Sequence, residues 1–194
     1  MKRIVLLSTF VESDEMFKLV FPAELKDKVL AYMPSDGANM KWEYVEQWQA
    51  YAKERGILFN LIDNSKVNSR EEVEKLMSSN VLVITGGNTF TLLRNLKKSG
   101  MDRVVKEFVK KDDFVVVGMS AGALVLTSTI EVCNLPNYDD NKVGLEDLSA
   151  LGLVDFEIFP HYSKEYEEAL ENYRKEAKNE VRLIRDGELI LVYL

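Results

Sequence analysis

Residues 114–122 of this chain read FVVVGMSAG, and this stretch decides the fold. Its first four residues form an apolar, mostly β-branched run that predicts a buried strand, and the ALVL after Gly122 predicts a helix. The turn between them reads G-x-S-x-G, and a side chain at either glycine would clash in so tight a turn. Such a turn holds Ser120 in a strained conformation, with its Oγ exposed and the next backbone N–H free to donate. The pattern predicts a nucleophile at Ser120; a small residue at the start of a packed helix is the alternative.

Length and composition restrict the class of protein to which this chain can belong. The chain has 194 residues, 46% hydrophobic and 29% charged, so we expect one globular domain over residues 1–194. The formal net charge of −7 argues against a nucleic-acid or anionic-membrane partner. The single cysteine, Cys133, excludes an internal disulfide framework, and with the single histidine, His161, it leaves too few ligands for a structural zinc site. We expect no metal ion and no other cofactor.

The amino-terminal region predicts neither a targeting nor a membrane segment. Lys2 and Arg3 precede an apolar run at residues 4–7, which is too short for the core of a signal peptide. No apolar stretch approaches the ~20 residues that a membrane-spanning helix needs. We therefore expect a cytoplasmic protein.

Short apolar runs alternate with amphipathic stretches, which is typical of an α/β fold with a mostly parallel sheet. Strands are predicted at residues 3–8, 28–33, 57–62, 81–85, 114–118 and 156–159, with a late one at 188–194. Helices are predicted at residues 39–55, 69–79, 89–98, 101–111 and 164–178. Tyr44, Trp48 and Tyr51 share one face of the first helix, which we interpret as packing onto the sheet.

Three turns whose residues could take part in catalysis follow predicted strands. Gly86 and Gly87 follow the fourth strand, Ser120 the fifth, and His161 the sixth. Because ligands bind at the carboxyl ends of parallel strands, we expect these residues to gather at one edge of the sheet.

His161 is the only histidine that could take a proton from Ser120. A serine hydroxyl is a poor nucleophile at neutral pH unless a base removes its proton, so we predict that His161 is that base. A half-buried histidine bonded to a backbone carbonyl is the alternative.

The glycine turn before the third helix has three interpretations. An oxyanion hole needs two N–H donors, and Ala121, directly after the serine, and Gly87, from the neighbouring strand end, could supply them. A plain turn with Asn88 or Thr89 as the helix cap is the second. A phosphate loop is the third, although the glycines fit neither common nucleotide motif.

Four pieces of sequence carry a family resemblance when taken together and in order. They are GGNTFxLL at residues 86–93, GxSAGA at 118–123, LGL at 151–153 and PH at 160–161. This joint pattern resembles the aspartyl dipeptidase (peptidase E) family of serine peptidases. The resemblance implies a flavodoxin-like, class I glutamine amidotransferase-like three-layer sandwich with a mostly parallel central sheet. It also implies metal-free hydrolysis of short peptides near their amino terminus.

The resemblance also assigns roles to residues. It makes Ser120 the nucleophile and His161 the base, with Gly87 and Ala121 as oxyanion donors. It places the acid of the triad in a late turn that Asp186 and the following glycine match. Composition alone leaves the acid open among Glu131, Asp139, Asp140, Glu146, Asp147, Asp155, Glu157 and Asp186.

Substrate contacts are expected at Asn88, Asn134 and Tyr138. In the aspartyl-specific dipeptidase an aspartate follows the corresponding asparagine, whereas Leu135 follows Asn134 here. We therefore expect a dipeptidase-like serine peptidase for which N-terminal Asp-X peptides are one candidate substrate.

Two other functions are compatible with the same residues. One is an esterase or amidase that uses this scaffold on a non-peptide substrate. The other is a non-catalytic homologue that binds a small molecule. The expected partner is a small peptide, and the family permits a monomer or a homodimer.

Overall fold

A computed structural model describes residues 2–10 and 28–194, together with Lys18. Its strands are β1 (Lys2–Leu7), β2 (Val29–Met33), β3 (Leu58–Leu61), β4 (Val81–Ile84), β5 (Phe114–Met119), β6 (Glu157–Phe159), β7 (Val181–Leu183) and β8 (Leu189–Tyr193). Six of them form a central sheet in the order β3-β2-β4-β5-β1-β8. The first five strands run parallel, and β8 pairs antiparallel with β1. All five parallel strands therefore end at the same edge.

Helices cover both faces of this sheet. In the part of the chain that the structure describes, the α-helices of more than one residue are α1 (Trp42–Glu54), α2 (Arg70–Met77), α3 (Thr89–Ser99), α4 (Met101–Phe108), α5 (Ala121–Leu124) and α6 (Glu167–Glu176). Side chains alternate along each strand, so that Ile4 and Leu6 pack on one face while Val5 and Leu7 pack on the other. α1 covers the face of Val5, and residues of the other five helices join the cluster on the opposite face. The result is a three-layer α/β sandwich with a mostly parallel central sheet, as the sequence predicts.

The predicted strand at residues 156–159 forms, but outside the central sheet. It is β6, and it pairs in parallel with β7, which the sequence analysis did not predict. The free edge of β1 is occupied by β8, so the central sheet has no place there for β6. The prediction that His161 would follow a strand of the main sheet is therefore wrong.

Two predicted helices begin later than expected. α1 begins at Trp42 and follows a separate 3₁₀ turn at Gly37–Asn39, and α6 follows a 3₁₀ turn at Lys164–Tyr166. In the described part of the chain, no helix combines the length and the apolar character needed to cross a membrane.

The larger core cluster depends on aromatic residues that are fully buried. Phe108 of α4 is 0% exposed and packs against Phe114 of β5, with the ring centroids 6.1 Å apart. We predict that Phe108→Ala lowers the free energy of unfolding by about 3–5 kcal/mol, because the truncation leaves a cavity. Urea denaturation measures the loss. Val67→Ala, at a side chain that is 51% exposed, is the control, and an equal loss in both variants would contradict the prediction.

Candidate active site

Ser120 lies between the end of β5 and the start of α5, in a backbone conformation that is rare for an L-residue. Its φ is 52° and its ψ is −115°. Its N–H donates to the carbonyl oxygen of Leu7 at 2.8 Å, and its own carbonyl oxygen accepts from the N–H groups of Ala123 and Leu124 at 2.9 and 3.0 Å. Such a conformation costs about 1–3 kcal/mol and persists only where surrounding contacts fix it. The strained serine turn that the sequence predicts is present.

The two glycines of G-x-S-x-G are required by close backbone contacts. A Cβ atom at Gly122 would overlap the carbonyl oxygen of Ile84 at the end of β4. A Cβ atom at Gly118 would lie 2.6 Å from the carbonyl oxygen of Gly122. The turn can therefore lie against β4 only because Gly122 lacks a side chain, and α5 can fold back on the end of β5 only because Gly118 lacks one.

His161 reaches Ser120 from the small sheet. It follows β6 by two residues and has a φ of 57°. Its Nε2 atom lies 2.7 Å from Ser120 Oγ, and its Nδ1 atom lies 2.7 Å from Asp186 Oδ1. The parallel pairing of β6 with β7 explains this meeting, because parallel strands carry His161 and Asp186 out at the same end. The structure thus brings together the three residues that the sequence and the resemblance selected.

Asp186 lies in the exposed turn between β7 and β8. The hydroxyl group of Ser8 donates to Asp186 Oδ1 at 2.7 Å. This hydrogen bond is the main reason why the pKa of Asp186 lies below its usual value; partial burial acts in the opposite direction, and His161 lowers the pKa further. The carboxylate that faces His161 is therefore favoured in its ionised form.

The Gly86–Gly87 turn lies directly against the serine. A Cβ atom at Gly86 would be 3.2 Å from Ser120 Cβ. Within the described ranges, the backbone N–H groups of Gly87 and Ala121 have no hydrogen-bond acceptor. Neither N–H group is therefore occupied by another acceptor, and their role as oxyanion donors stays a prediction.

The three residues expected to bind substrate lie elsewhere. The Asn88 side chain caps α3 by accepting from Thr91 N at 2.9 Å, and it donates to Asp139 Oδ1 at 2.5 Å. Asn134 is exposed at the end of a 3₁₀ turn. The Tyr138 hydroxyl donates to the carbonyl oxygen of Pro160 at 3.0 Å, so Tyr138 supports the turn that carries His161. None of the three lines the pocket in front of Ser120, and their contact with substrate stays a prediction.

A pocket of about 510 Å³ opens in front of Ser120 and His161. One wall is aromatic: Trp48 packs against Phe10 and Tyr32, with ring centroids 5.0 and 6.0 Å apart. The sequence does not predict this wall, because the helical spacing of the aromatic residues of α1 is equally typical of core packing. The core-packing interpretation holds for Trp48, which is 4% exposed, but not for Tyr44, which is 51% exposed and lines the pocket.

Ser8, Asp36 and Lys41 also line this pocket and were not predicted. Each is a single polar residue in a loop or at a strand end, where the sequence offers no periodic signal. Among the described residues, no group of three or more His, Cys, Asp or Glu side chains could hold a metal ion. The polar groups near Ser120 are thus a histidine, two carboxylates, one ammonium group, the amides of Asn39 and Gln47, hydroxyls and backbone N–H groups.

Comparison with known proteins shows the family to which the chain belongs. The family model for peptidase family S51 matches residues 8–193. An uncharacterized peptidase of Listeria monocytogenes (serovar 1/2a) is 30% identical over 84% of this chain and 79% of its own length. Peptidase E of Salmonella arizonae is 27% identical over 84% of this chain and 68% of its own. A crystal structure of a peptidase E-like protein from Listeria monocytogenes EGD-e has a TM-score of 0.80 and 27% identity, and the match covers 99% and 94% of the two chains.

A serine turn at the edge of an α/β sheet, with a histidine on its hydroxyl group, defines a serine-type hydrolase. The family match makes the class narrower: the chain belongs to peptidase family S51, the family of the peptidase E relatives, and is a serine-type peptidase.

The lowered pKa of Asp186 predicts how stability depends on pH. A carboxyl group whose folded-state pKa is lowered from 3.8 contributes stability above that value and loses it as the pH falls through the folded-state pKa. We expect the wild type to melt at a higher temperature than Asp186→Asn, and we expect this difference to be smaller at pH 3 than at pH 6. Both differences should be small, because Asp186 is exposed to solvent. Thermal melts across this range test the sign. A difference that grows as the pH falls would contradict it.

Proposed function

We propose that this chain hydrolyses short peptides through an acyl-enzyme, with Ser120 as nucleophile, His161 as base and Asp186 as the acid that orients the base. One observation supports this most directly. Ser120 Oγ, both ring nitrogens of His161 and Asp186 Oδ1 form a continuous series of contacts, 2.7 Å at each end of the ring.

The position of the acid determines which nitrogen of His161 can act as a base. An ionised carboxylate only accepts hydrogen bonds, so Nδ1 carries the proton that points to Asp186. Nε2 is then unprotonated and faces the hydroxyl group of Ser120, from which it can take the proton as Oγ attacks a carbonyl carbon. Asp186 stabilises the imidazolium that forms.

The oxyanion and the leaving group need separate partners. The N–H groups of Gly87 and Ala121 would donate to the carbonyl oxygen as it gains charge. His161 would then protonate the leaving amine, and a water molecule, deprotonated by the same ring, would hydrolyse the acyl-enzyme. Every proton transfer in this cycle passes through Nε2.

The pocket in front of Ser120 supports a short substrate. Its volume of about 510 Å³ lies within the range of small-ligand sites, roughly 300–1,000 Å³. The charged residues of its described lining are Asp36 and Lys41. A carboxylate and an ammonium group suit the two ends of an unblocked dipeptide, Asp36 the α-amine and Lys41 a carboxylate. N-terminal Asp-X dipeptides fit this scheme, as do dipeptides with other first residues.

A fluorophosphonate probe tests the nucleophile. Intact-mass spectrometry should show one adduct on the wild type and none on Ser120→Ala. His161→Ala should lower the labelling rate by on the order of 1,000-fold or more, because the nucleophile loses its base. Peptide turnover should disappear in Ser120→Ala.

The melting temperature of Ser120→Ala is the control, and we expect it to be nearly unchanged. A wild type that gives no adduct would favour the non-catalytic homologue. A Ser120→Ala variant that still cleaves peptides would overturn the mechanism.

A substrate panel tests the role of Asp36. We expect unblocked dipeptides to be cleaved with a kcat/KM at least about tenfold above that of N-acetylated ones, because a charge-assisted hydrogen bond to the amine is lost on acetylation. Asp36→Asn should remove this preference and leave the acetylated substrates unaffected. A preference that persists in Asp36→Asn would contradict the assignment. Cleavage of p-nitrophenyl esters without cleavage of any peptide would favour the esterase alternative.

A further inference from the structure

We propose that Ser8 is a positioning residue of this site, whose hydroxyl group fastens the Asp186 carboxylate and the main chain of His161 to the end of β1. The same strand end fixes the main chain of Ser120. This inference rests on the proposed function, because it assigns Ser8 a role in bringing the base and its acid to the nucleophile.

Ser8 occupies a central position among these residues. It directly follows β1, it is 0% exposed, and it lines the pocket beside Ser120. The preceding residue, Leu7, pairs with Met119 of β5 and accepts the hydrogen bond from Ser120 N at 2.8 Å. Two successive residues of one strand end therefore contact the nucleophile, the base and the acid.

The hydrogen bonds of Ser8 can be assigned from the number of its donors. A hydroxyl group has one proton and two lone pairs. The proton goes to Asp186 Oδ1 at 2.7 Å, because an ionised carboxylate can only accept. A lone pair accepts the backbone N–H of His161 at 2.8 Å. The distance from Ser8 Oγ to His161 Nδ1 is 3.2 Å, and this contact is secondary because the Nδ1 proton has a closer acceptor in Asp186 at 2.7 Å.

Both hydrogen-bond partners of Ser8, the backbone of His161 and the side chain of Asp186, need contacts with other residues to keep their conformations. His161 has a φ of 57°, a conformation that a residue with a side chain rarely adopts, and the bond to Ser8 fixes its N–H. The Asp186 side chain is 63% exposed, so without a second partner it would be free to change rotamer away from the imidazole. Thr9 adds to this support, since its Oγ1 accepts Gly187 N at 3.1 Å. Ser8 and Thr9 together attach the acid-bearing turn to the central sheet.

The hydrogen bond from Ser8 also has an electrostatic effect. It is the largest cause of the lowered pKa of Asp186, so it favours the charged carboxylate that the base requires. Removal of the hydroxyl group would both free the carboxylate and raise its pKa. These effects reach Ser120 only through Asp186 and His161.

A double-mutant cycle tests the proposal. The second-order rate constant for fluorophosphonate labelling of Ser120 is measured in the wild type, Ser8→Ala, Asp186→Ala and the double variant. We expect Ser8→Ala to lower the rate about 10- to 100-fold, as loss of positioning does. In the Asp186→Ala background we expect the same change to lower it less than about threefold, because the partner through which Ser8 acts is already gone.

The matched control is Ser79→Ala. Ser79 is also 0% exposed, and its hydroxyl group donates to Lys75 O at 2.7 Å. It precedes β4, so it lies at the amino-terminal edge of the sheet, whereas Ser120 lies at the carboxyl edge. We expect this variant to label at nearly the wild-type rate even if its melting temperature falls. Ser8→Cys, which keeps the size of the side chain but donates weakly, is measured alongside and replaces Ser8→Ala if that variant does not fold.

The outcomes separate this inference from the proposed function. Labelling of Ser8→Ala, or of folded Ser8→Cys, at the wild-type rate overturns the role of Ser8 while the triad stands. An equal rate loss in the wild-type and Asp186→Ala backgrounds also overturns it, because Ser8 would then act on the fold in general. No adduct on the wild type overturns the proposed function itself.

Discussion

The backbone of Ser120 is fixed with a φ of 52°, and the geometry of the site depends on this constraint. The conformation costs about 1–3 kcal/mol. Hydrogen bonds to the end of β1 and from the first turn of α5 offset that cost, Gly122 lets the turn lie against β4, and Gly118 lets it fold back on itself. A side chain at Gly122 would push the turn away from Ile84, and Ser120 would then move away from the neighbouring Gly86–Gly87 turn. Local strain, close packing and chemistry therefore depend on one another at a single position.

Two sheets contribute to the site. The central sheet supplies Ser120 and the glycine turn at its carboxyl edge, whereas the small β6–β7 sheet supplies His161 and Asp186. The parallel pairing within the small sheet aligns His161 with Asp186, and Ser8 provides a side-chain link between the two sheets. The distance between Ser120 and His161 thus depends on how the two sheets are joined.

The sequence was most informative where its pattern is local and repeated. The apolar runs predicted β1 to β5, and the spacing of glycine, serine and glycine predicted the strained turn. β7 was missed because it has only two apolar residues, one on either side of Arg182, whereas the equally short β6 lies in a run with three apolar residues at 156–159. Asp186 was one of eight acidic candidates until the family resemblance selected it, because the pairing of β6 with β7 is a tertiary event.

The remaining omissions have a similar cause. A single hydroxyl group after a strand, such as Ser8, has no sequence signature, and its importance appears only when three distant segments meet around it. The aromatic face of α1 was assigned to the core because the helical period of its residues does not show where the sheet ends. Both Tyr44 and Trp48 line the pocket, but Trp48 is also buried against the core, whereas Tyr44 is half exposed.

The contacts of Tyr138 restrict how the loop that contains it can change in evolution. Its ring packs on Phe159 with centroids 4.3 Å apart, and its hydroxyl group donates to Pro160 O, one residue before His161. Its neighbour Asp139 accepts hydrogen bonds from Asn88 and from the N–H of Thr89, next to the glycine turn. The loop after the serine helix is therefore attached to the segments that carry His161 and Gly87. Mutations that enlarge or shorten this loop would shift both segments, so its length can vary in evolution only where both attachments are preserved.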